Sequence, residues 1–506
     1  MHASVPSAIV VGASGRSVTV EAQSGNGLPN VHLVGLADSA VRESLSRVRS
    51  ALESSPFDWP NRRITVSLAP SSFKKHGTGL DVPIALAIMK ASSQLDSVDL
   101  TSVGAAGELS LDGSLRPVDG MIAIAGAIAA DTIFVPAACA AEAAAARPGA
   151  VYPVESLAEL VEILVGKRQR PAPAEASVES LLRADADLDL AEVRGQFIAR
   201  FALEVAAAGS HHLLMVGPPG AGKTMLAARL PGLLPDLSHS DALTVTQIHS
   251  AAGYPVPDGG LMRRPPFRAP HHGLSSAALV GGGSERLRPG EISCSHGGVL
   301  FLDELGEFPV SVLEALRQPL EEGVIRVART AHTATMPARF QLVGAMNPCP
   351  CGQGGTDGSC RCSDSARARY ARKLSGPLLD RFDLRIELEP PEPQLLLQGD
   401  PTESTAQVRE RVAQARQRCE ARGFTANSAI PATALEDLAP LSADAEVLLQ
   451  ERLVAGLLTG RGLRRIRAVA LTIADLSQSD VPLSSQLVAQ ALTLRAMPYS
   501  VLGGGR

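Results

Sequence analysis

The chain has 506 residues, of which 45% are hydrophobic and 20% charged, an ordinary globular composition. At about 150 residues per domain, this length predicts about three folding units. The net charge of −5 and the aromatic content of 3% exclude a uniformly basic nucleic-acid surface and extensive base stacking on aromatic side chains. A local basic patch stays compatible with this composition.

Neither a secretory signal nor a membrane-spanning segment is recognisable in the sequence, so we expect a cytoplasmic protein that has no membrane partner. The start, MHASVPSAIV, lacks the basic region and long apolar run of a secretory signal. The most apolar stretch, residues 121–130, is too short to span a bilayer. Cysteine is sparse at seven, and four of the seven lie between residues 349 and 362, which favours a reducing compartment with one special thiol site.

Residues 1–165 mix two kinds of periodicity. Segments 17–24 and 63–70 alternate apolar and polar residues, as half-buried strands do, whereas segments 37–55 and 81–92 carry helical apolar spacing. These features predict an α+β domain. The following stretch, residues 166–188, is rich in Pro, Ala and charge and has no apolar period, which is typical of a linker.

In residues 189–390, segments with helical apolar spacing alternate with short apolar segments typical of buried strands. The strands are predicted at 211–217, 297–304 and 339–346. Buried runs between helices indicate a parallel sheet covered on both faces, so the predicted fold class is α/β. Residues 391–506 carry helical spacing and predict a separate helical domain.

The strongest motif follows the first of these strands. It reads G-P-P-G-A-G-K-T and runs from Gly217 through Gly220 and Gly222 to Lys223 and Thr224, between an apolar strand and a helix. In this motif the backbone amides wrap phosphates, the lysine reaches the β- and γ-phosphates, and the Thr hydroxyl ligates Mg²⁺. The helix N-terminus adds a favourable dipole. The segment therefore predicts an ATP site.

The other two strands end in polar side chains that suit the same site. The second ends at Asp303 and Glu304, where an Asp can hold Mg²⁺ through water and a Glu can polarise the attacking water. The third ends at Asn347, which is placed to sense the γ-phosphate. A turn-forming Asn before Pro348 is the alternative interpretation.

Arginines are the remaining catalytic candidates. Arg381 lies in a short polar break between apolar segments, and Arg461 and Arg465 lie one helical turn apart. Arginine neutralises phosphate charge in the transition state, but a single Arg is as often a solvated surface residue. The spacing leaves both interpretations open.

Together these segments resemble the magnesium-chelatase-like AAA+ ATPases of the ComM/YifB family, over almost the whole chain. Besides the phosphate loop, the similar text includes IHSAAG, RPPFRAPHHGLSSAALVGGG, LEALRQPLEEG, MNPCPCG, SGPLLDRFD and, near the start, GLPNVHLVGLADSAVRES. The resemblance implies a Lon-like N-terminal domain, an AAA+ core and a helical lid. It also implies a homo-oligomeric ring, expected to be a hexamer, with ATP bound between subunits.

The resemblance also implies roles for single residues. Those implied to serve a subunit's own site are Lys223, Thr224, Asp303, Glu304 and Asn347. Arg381 falls where related helicases keep an arginine finger that reaches into the neighbouring site. Arg465 falls at the second sensor of the lid, with Arg461 in support. Leu471 stands where the family's lid helix often has Arg, so the lid lacks one positive charge there.

Two segments are candidate DNA contacts by the same resemblance. A hairpin expected over about residues 324–340 places Arg326 and Arg329 toward the ring pore, the alternative being a solvated hairpin. In the N-terminal domain, Lys74 and Lys75 are candidate phosphate contacts, the alternative being a solvated turn. Gly79 falls where a Lon-type protease has its serine, so we expect no proteolysis.

Cysteines 349, 351, 360 and 362 form two C-x-C pairs across a Gly-rich loop. Four thiolates can hold zinc tetrahedrally, although zinc sites more often use C-x-x-C. Free thiols and a redox-labile disulfide are the alternatives. The sequence leaves all three open.

The leading functional hypothesis is an ATP-driven DNA motor for branch migration in recombination or natural transformation, with single-stranded or branched DNA as partner. The net acidity requires that DNA binding be local and salt-sensitive. A magnesium-chelatase-like motor subunit and a protein-remodelling ATPase are the alternatives.

Overall fold

The computed structural model describes residues 2–176, 188–257, 260–283, 287–328, 333–353, 360–398 and 402–495. The predicted α/β fold class is confirmed: mixed strands and helices come first, a parallel sheet flanked by helices follows, and the C-terminal region is helical. The linker prediction falls partly outside the described residues, and Arg329 lies outside them.

The described part of the N-terminal domain contains three small sheets. The first has the order β1-β2-β4-β3, the second, β5-β8-β9, is parallel, and the third is the antiparallel pair β6-β7. Alternation places Val18, Val20 and Ala22 of one strand in the core. The elements are β1 (His2–Val11), β2 (Ser14–Gly25), β3 (Asn30–Val34), α1 (Ser39–Glu53), β4 (Arg63–Ala69), α2 (Asp81–Ala91), β5 (Val103–Ala105), β6 (Glu108–Leu109), β7 (Leu115–Arg116), α3 (Met121–Ala127), β8 (Thr132–Pro136), α4 (Ala140–Ala146), β9 (Val151–Val154) and α5 (Leu157–Leu164). The likeness of this domain to the Lon protease domain stays a prediction.

The central domain holds a five-stranded parallel sheet of order β11-β14-β17-β10-β18. Its middle strands are buried throughout, as their apolar runs predicted. The elements are α6 (Phe197–Gly209), β10 (Leu213–Val216), α7 (Lys223–Leu233), α8 (His239–Ala252), β11 (Phe267–Arg268), α9 (Ser276–Val280), β12 (Gly281–Gly282), β13 (Arg288–Pro289), α10 (Glu291–Cys294), β14 (Val299–Leu302), α11 (Val310–Ala315), α12 (Arg317–Glu322), β15 (Val324–Ala328), β16 (Thr333–Pro337), β17 (Gln341–Met346), α13 (Asp364–Ala371), α14 (Gly376–Leu379) and β18 (Leu384–Glu387).

The C-terminal region packs on the central sheet through its long helices. Ile466, Val469 and Ile473 of one helix are buried in a core cluster that also contains Leu213 and Leu384 of the sheet. The elements are α15 (Pro393–Gln398), α16 (Thr405–Ala421), α17 (Ala432–Leu438), α18 (Ala443–Val454), α19 (Gly460–Leu476) and α20 (Ser485–Thr493).

Helix α8 of the central domain contacts the N-terminal domain through hydrogen bonds. The hydroxyl of Ser250 accepts a hydrogen bond from the Gly120 amide at 2.8 Å and donates one to the Glu142 carboxylate. That carboxylate also accepts from the Ile122 amide at 2.9 Å. Because Ser250 is buried, these bonds fix the two domains against each other.

Among the described residues, no helix is both long enough and apolar enough to cross a bilayer.

Candidate nucleotide-binding site

The loop after β10 leaves room for a ligand against its backbone. Gly220 and Gly222 have φ of +81° and +89°, a conformation that favours glycine. A Cβ atom built at either position would meet no atom within 4 Å. The eleven-residue helix α7 starts directly after Gly222, so its free amides and dipole point to this space.

Lys223 holds its amine inside this loop. Its Nζ donates hydrogen bonds to the carbonyls of Gly217 at 2.6 Å and Pro218 at 2.9 Å, and to Oδ1 of Asn347 at 3.2 Å. Burial lowers the pKa of this amine. The amine is thus held within the loop whose amides would wrap phosphates.

Thr224 and Asp303 supply adjacent oxygen atoms. The Thr224 hydroxyl donates to Oδ2 of Asp303 at 2.7 Å, and both lie at the same edge of the sheet. Hydroxyl and carboxylate oxygens are the ligands that Mg²⁺ prefers, usually together with phosphate oxygens and water. The donor set therefore fits a magnesium ion bound with a nucleotide.

Glu304 has a strained backbone and an unexpected partner. Its φ of 49° and ψ of 46° lie in the left-handed region, which is uncommon for a non-glycine residue and concentrates at functional sites. Its Oε2 lies 3.1 Å from Nδ1 of His272. No motif in the sequence indicated this contact of His272. Strand β11 is the parallel neighbour of β14, so residues that follow these two strands meet at one edge.

Topology explains why the five predicted residues converge. Strands β14, β17 and β10 are adjacent and parallel, so their carboxyl ends share one edge of the sheet. The phosphate loop follows one of them, Asp303 and Glu304 follow another, and Asn347 follows the third. Polar groups from distant parts of the chain thereby line one edge of the sheet, where they could hold a triphosphate and a metal ion.

The two predicted arginines lie at the other end of the sheet. The amides of Asp383 and Leu384 both donate to the carbonyl of His212, the residue before β10. The loop starts five residues later, about 16 Å away at 3.3 Å per residue. Arg381 pairs with Glu321, and Arg465 pairs with Asp383. Within one chain, neither arginine reaches the phosphate loop.

Asp383 is a buried carboxylate that lies beside His211 and Arg465. Burial alone would raise the pKa of its carboxyl, but the hydrogen bond and charge of His211 together with Arg465 hold that pKa well below its usual range. Burial lowers the pKa of Arg381, and the charge of Arg465 lowers it further. The buried carboxylate thus holds Arg465 close to Arg381.

The four predicted cysteines come together. Sγ of Cys349 lies 3.3 Å from that of Cys351 and 3.6 Å from that of Cys360, and Cys351 and Cys360 are also 3.6 Å apart. With Cys362, the four sulfur atoms lie within 4.8 Å of one another. Backbone amides, that of Gln353 first, lower the pKa of Cys351 to about 5. The cluster could hold a metal ion.

The candidate DNA contacts differ in exposure. Arg326 is exposed on β15 of the predicted hairpin, paired with Glu322, and Lys74 is exposed in the N-terminal domain. Lys75 is instead fully buried, its amine donating to the Pro70 carbonyl and lying 4.7 Å from the Phe73 ring centre. The expected phosphate contact by Lys75 is therefore not available in this conformation, because its amine does not reach the surface.

Comparison with protein families matches most of the chain. The model for magnesium chelatase, subunit ChlI, matches residues 189–396, which contain the phosphate loop, Asp303, Glu304, Asn347 and the four cysteines. Models for subunit ChlI of Mg-chelatase and for the C-terminal part of that subunit match residues 20–138 and 402–495. The chain belongs to the magnesium-chelatase-like family of AAA+ ATPases that includes ComM and YifB.

Individual relatives span nearly the full length. The chain is 46% identical to an uncharacterised protein of Mycobacterium tuberculosis, with 97% of each chain covered. It is 40% identical to YifB of Escherichia coli, with 96% of each covered, and 42% identical to competence protein ComM of Haemophilus influenzae, with 95% of this chain and 94% of the relative covered. A probable DNA helicase MCM9 of Arabidopsis thaliana is 27% identical over 36% of this chain and 23% of its own length.

Proposed function

We propose that the protein hydrolyses ATP with Mg²⁺ and uses the energy to move along DNA as a ring. The observation that carries the proposal is the meeting of Lys223, Thr224, Asp303, Glu304 and Asn347 at one sheet edge. In this scheme the loop amides and Lys223 bind the phosphates, and Thr224 with Asp303 hold the metal, which neutralises charge on the transferred phosphoryl group. Glu304 accepts the proton of the attacking water, and Asn347 orients that water.

The positions of the arginines support a ring. Arg381 and Arg465 lie about 16 Å along the sheet from the phosphate loop of their own chain. If subunits associate head to tail, one chain's arginine end can face the next chain's loop and neutralise transition-state charge there. A hexamer is the assembly that the family resemblance leads us to propose.

DNA is the proposed substrate because of two kinds of support. The hairpin of β15 and β16 carries Arg326 on an exposed face, where it can meet a phosphate backbone. Among the relatives, one is named a competence protein and one a probable DNA helicase. Branch migration of recombination intermediates is an activity that agrees both with the exposed arginine of the hairpin and with the names of these two relatives.

The decisive experiment is steady-state ATP hydrolysis with and without single-stranded and forked DNA. We expect several-fold stimulation by forked DNA that weakens with salt and disappears in the Lys223→Ala and Glu304→Gln variants. Arg326→Ala should lose the stimulation and keep the basal rate. Hydrolysis indifferent to all DNA would contradict the DNA part of the proposal and leave the ATPase part intact.

A chelatase-like motor is the second candidate. A model described as subunit ChlI of Mg-chelatase matches residues 20–138, so the N-terminal domain does not by itself separate the two functions. DNA-indifferent hydrolysis that a partner protein stimulates would favour this role or a protein-remodelling one.

A further inference from the structure

The four cysteines form a compact, sulfur-only cluster beside the nucleotide site. Three of the Sγ–Sγ distances are 3.3, 3.6 and 3.6 Å. A zinc ion at about 2.3 Å from four sulfurs in a tetrahedron requires separations of about 3.8 Å, so only small movements are needed. A disulfide would require about 2.05 Å, which none of these three separations approaches.

The segment that carries the cluster has little other means of staying folded. From Cys349 to Gln353 and from Cys360 to Ser363, the buried residues are Cys349 and Gly352. A turn bond from the Gly352 amide to the Cys349 carbonyl at 3.0 Å closes the first C-x-C pair. Without an apolar core, a segment of this kind gains its stability from a metal ion that replaces the thiol protons.

The cluster is joined to the phosphate loop at two points. Cys349 follows Asn347 by two residues, and Asn347 accepts a hydrogen bond from Lys223. Gly352 lies against the loop itself, since a Cβ built there would be 2.8 Å from Cδ of Pro219. A change in the shape of the cluster would therefore move both the loop and the tip of β17.

We propose that Cys349, Cys351, Cys360 and Cys362 bind one structural zinc ion, and that this ion holds the phosphate loop and Asn347 in the geometry that binds nucleotide. The second half of the proposal rests on the nucleotide site proposed above, but zinc binding does not. Zinc thus supplies the packing that the short, polar segment lacks. Loss of the ion would lower the affinity of the protein for ATP, although every side chain that contacts ATP would still be present.

Zinc content tests the first half directly. The full-length protein, purified without chelator, should contain about one zinc ion per chain by elemental analysis. The double variant Cys360→Ala/Cys362→Ala should lose it, whereas Cys139→Ala/Cys419→Ala, which removes two thiols outside the cluster, should keep it. A zinc-free wild type, or undiminished zinc in the first variant, would overturn the site.

Thiol titration separates the alternatives. The reactive thiols are counted in denaturant without reductant. Seven reactive thiols in a zinc-free chain would mean that the cluster consists of free thiols. Fewer than seven reactive thiols in a zinc-free chain would mean that the cluster contains a disulfide. Both results contradict the proposal. The expected result is zinc release that accompanies the reaction of four thiols with a mercurial reagent.

Binding of a fluorescent ATP analogue tests the second half. Removing zinc from the wild type should weaken binding several-fold, and adding zinc back should restore it. The Cys139→Ala/Cys419→Ala variant should bind like the wild type. Unchanged affinity after zinc loss would refute the coupling alone, and a zinc-loaded protein that binds no nucleotide would refute the proposed ATPase alone.

Discussion

Arg465 donates a hydrogen bond to the backbone carbonyl of Arg381 at 2.8 Å, so the two arginines expected to serve catalysis form one unit. That unit is tied down by the buried carboxylate of Asp383. It lies at the amino end of β18, and the phosphate loop lies beyond the carboxyl end of the neighbouring β10. If these arginines serve the proposed ATPase, a second subunit would have to bring arginine and phosphate together.

Mixed assemblies test that requirement. Arg381→Ala should reduce hydrolysis by about 10³-fold or more, because transition-state charge is left without its cation. Mixing it with the equally inactive Lys223→Ala chain should restore part of the activity, since some interfaces then combine an intact loop with an intact arginine. Arg372→Ala, a change at an exposed position nearby, is the matched control. Two inactive variants that assemble but do not complement would place Arg381 in its own chain's site.

Substitutions of Lys223 and Glu304 should affect nucleotide binding and ATP hydrolysis differently. Lys223→Ala removes the buried amine and should abolish nucleotide binding, whereas Glu304→Gln should bind ATP and hydrolyse it about 10²- to 10⁴-fold more slowly. Equilibrium binding and single-turnover hydrolysis measure the two effects. The exposed Lys167→Ala and Glu436→Gln are controls. A Glu304→Gln enzyme at full rate would remove Glu304 from the role of base.

His272 should restrain Glu304 while no DNA is bound. Its Nδ1 lies 3.1 Å from the carboxylate, which is then less available to an attacking water. We expect His272→Ala to raise kcat several-fold without DNA and to leave KM for ATP nearly unchanged. The control is His271→Ala, since His271 accepts from the Gly273 amide. Equal effects from the two changes, or an unchanged kcat, would show that the contact has no such role.

Gly352 should be intolerant of a side chain. Its φ is +81° and a Cβ would press on Pro219, so Gly352→Ala should cost roughly 1–2 kcal/mol for the backbone and shift the phosphate loop. Nucleotide affinity should fall several-fold. Gly376→Ala, where a Cβ would meet no atom within 4 Å, is the control. Denaturant unfolding and nucleotide binding provide the readouts, and wild-type values in both would contradict the predicted packing.

Glu142 predicts a pH dependence at the contact between domains. Burial, with some repulsion from Asp119, raises the pKa of its carboxyl above the unfolded value. The folded state therefore binds the proton more tightly, and this stabilisation, complete below about pH 4.3, is lost as pH rises through the raised pKa. Glu142→Gln should be more stable than wild type near neutrality, with the gain shrinking in acid.

Urea unfolding at about pH 5 and about pH 8 measures this change. The exposed Glu175→Gln should show no difference between the two conditions. A Glu142→Gln gain that is equal at both pH values would mean that the carboxyl is not perturbed.

The sequence predicted the local elements of the site well, because each element depends on residues that are neighbours along the chain. The apolar runs before Gly217, Asp303 and Asn347 all became strands, and glycines at 220 and 222 took the positive φ that the phosphate loop needs. The hairpin expected over about 324–340 formed as β15 and β16. The helical spacing over residues 391–506 likewise predicted a helical region, which contains α16, α18 and α19.

Relations between distant segments were decided only by the tertiary structure. The pairing of β11 with β14 brings His272 to Glu304, the folded turn buries Lys75, and the sheet separates Arg381 from the phosphate loop. Periodicity and motif spacing report which residues are buried and how the backbone turns, since these depend on neighbours along the chain. Strand order and side-chain partners depend on how the apolar faces pack together, which no single segment encodes.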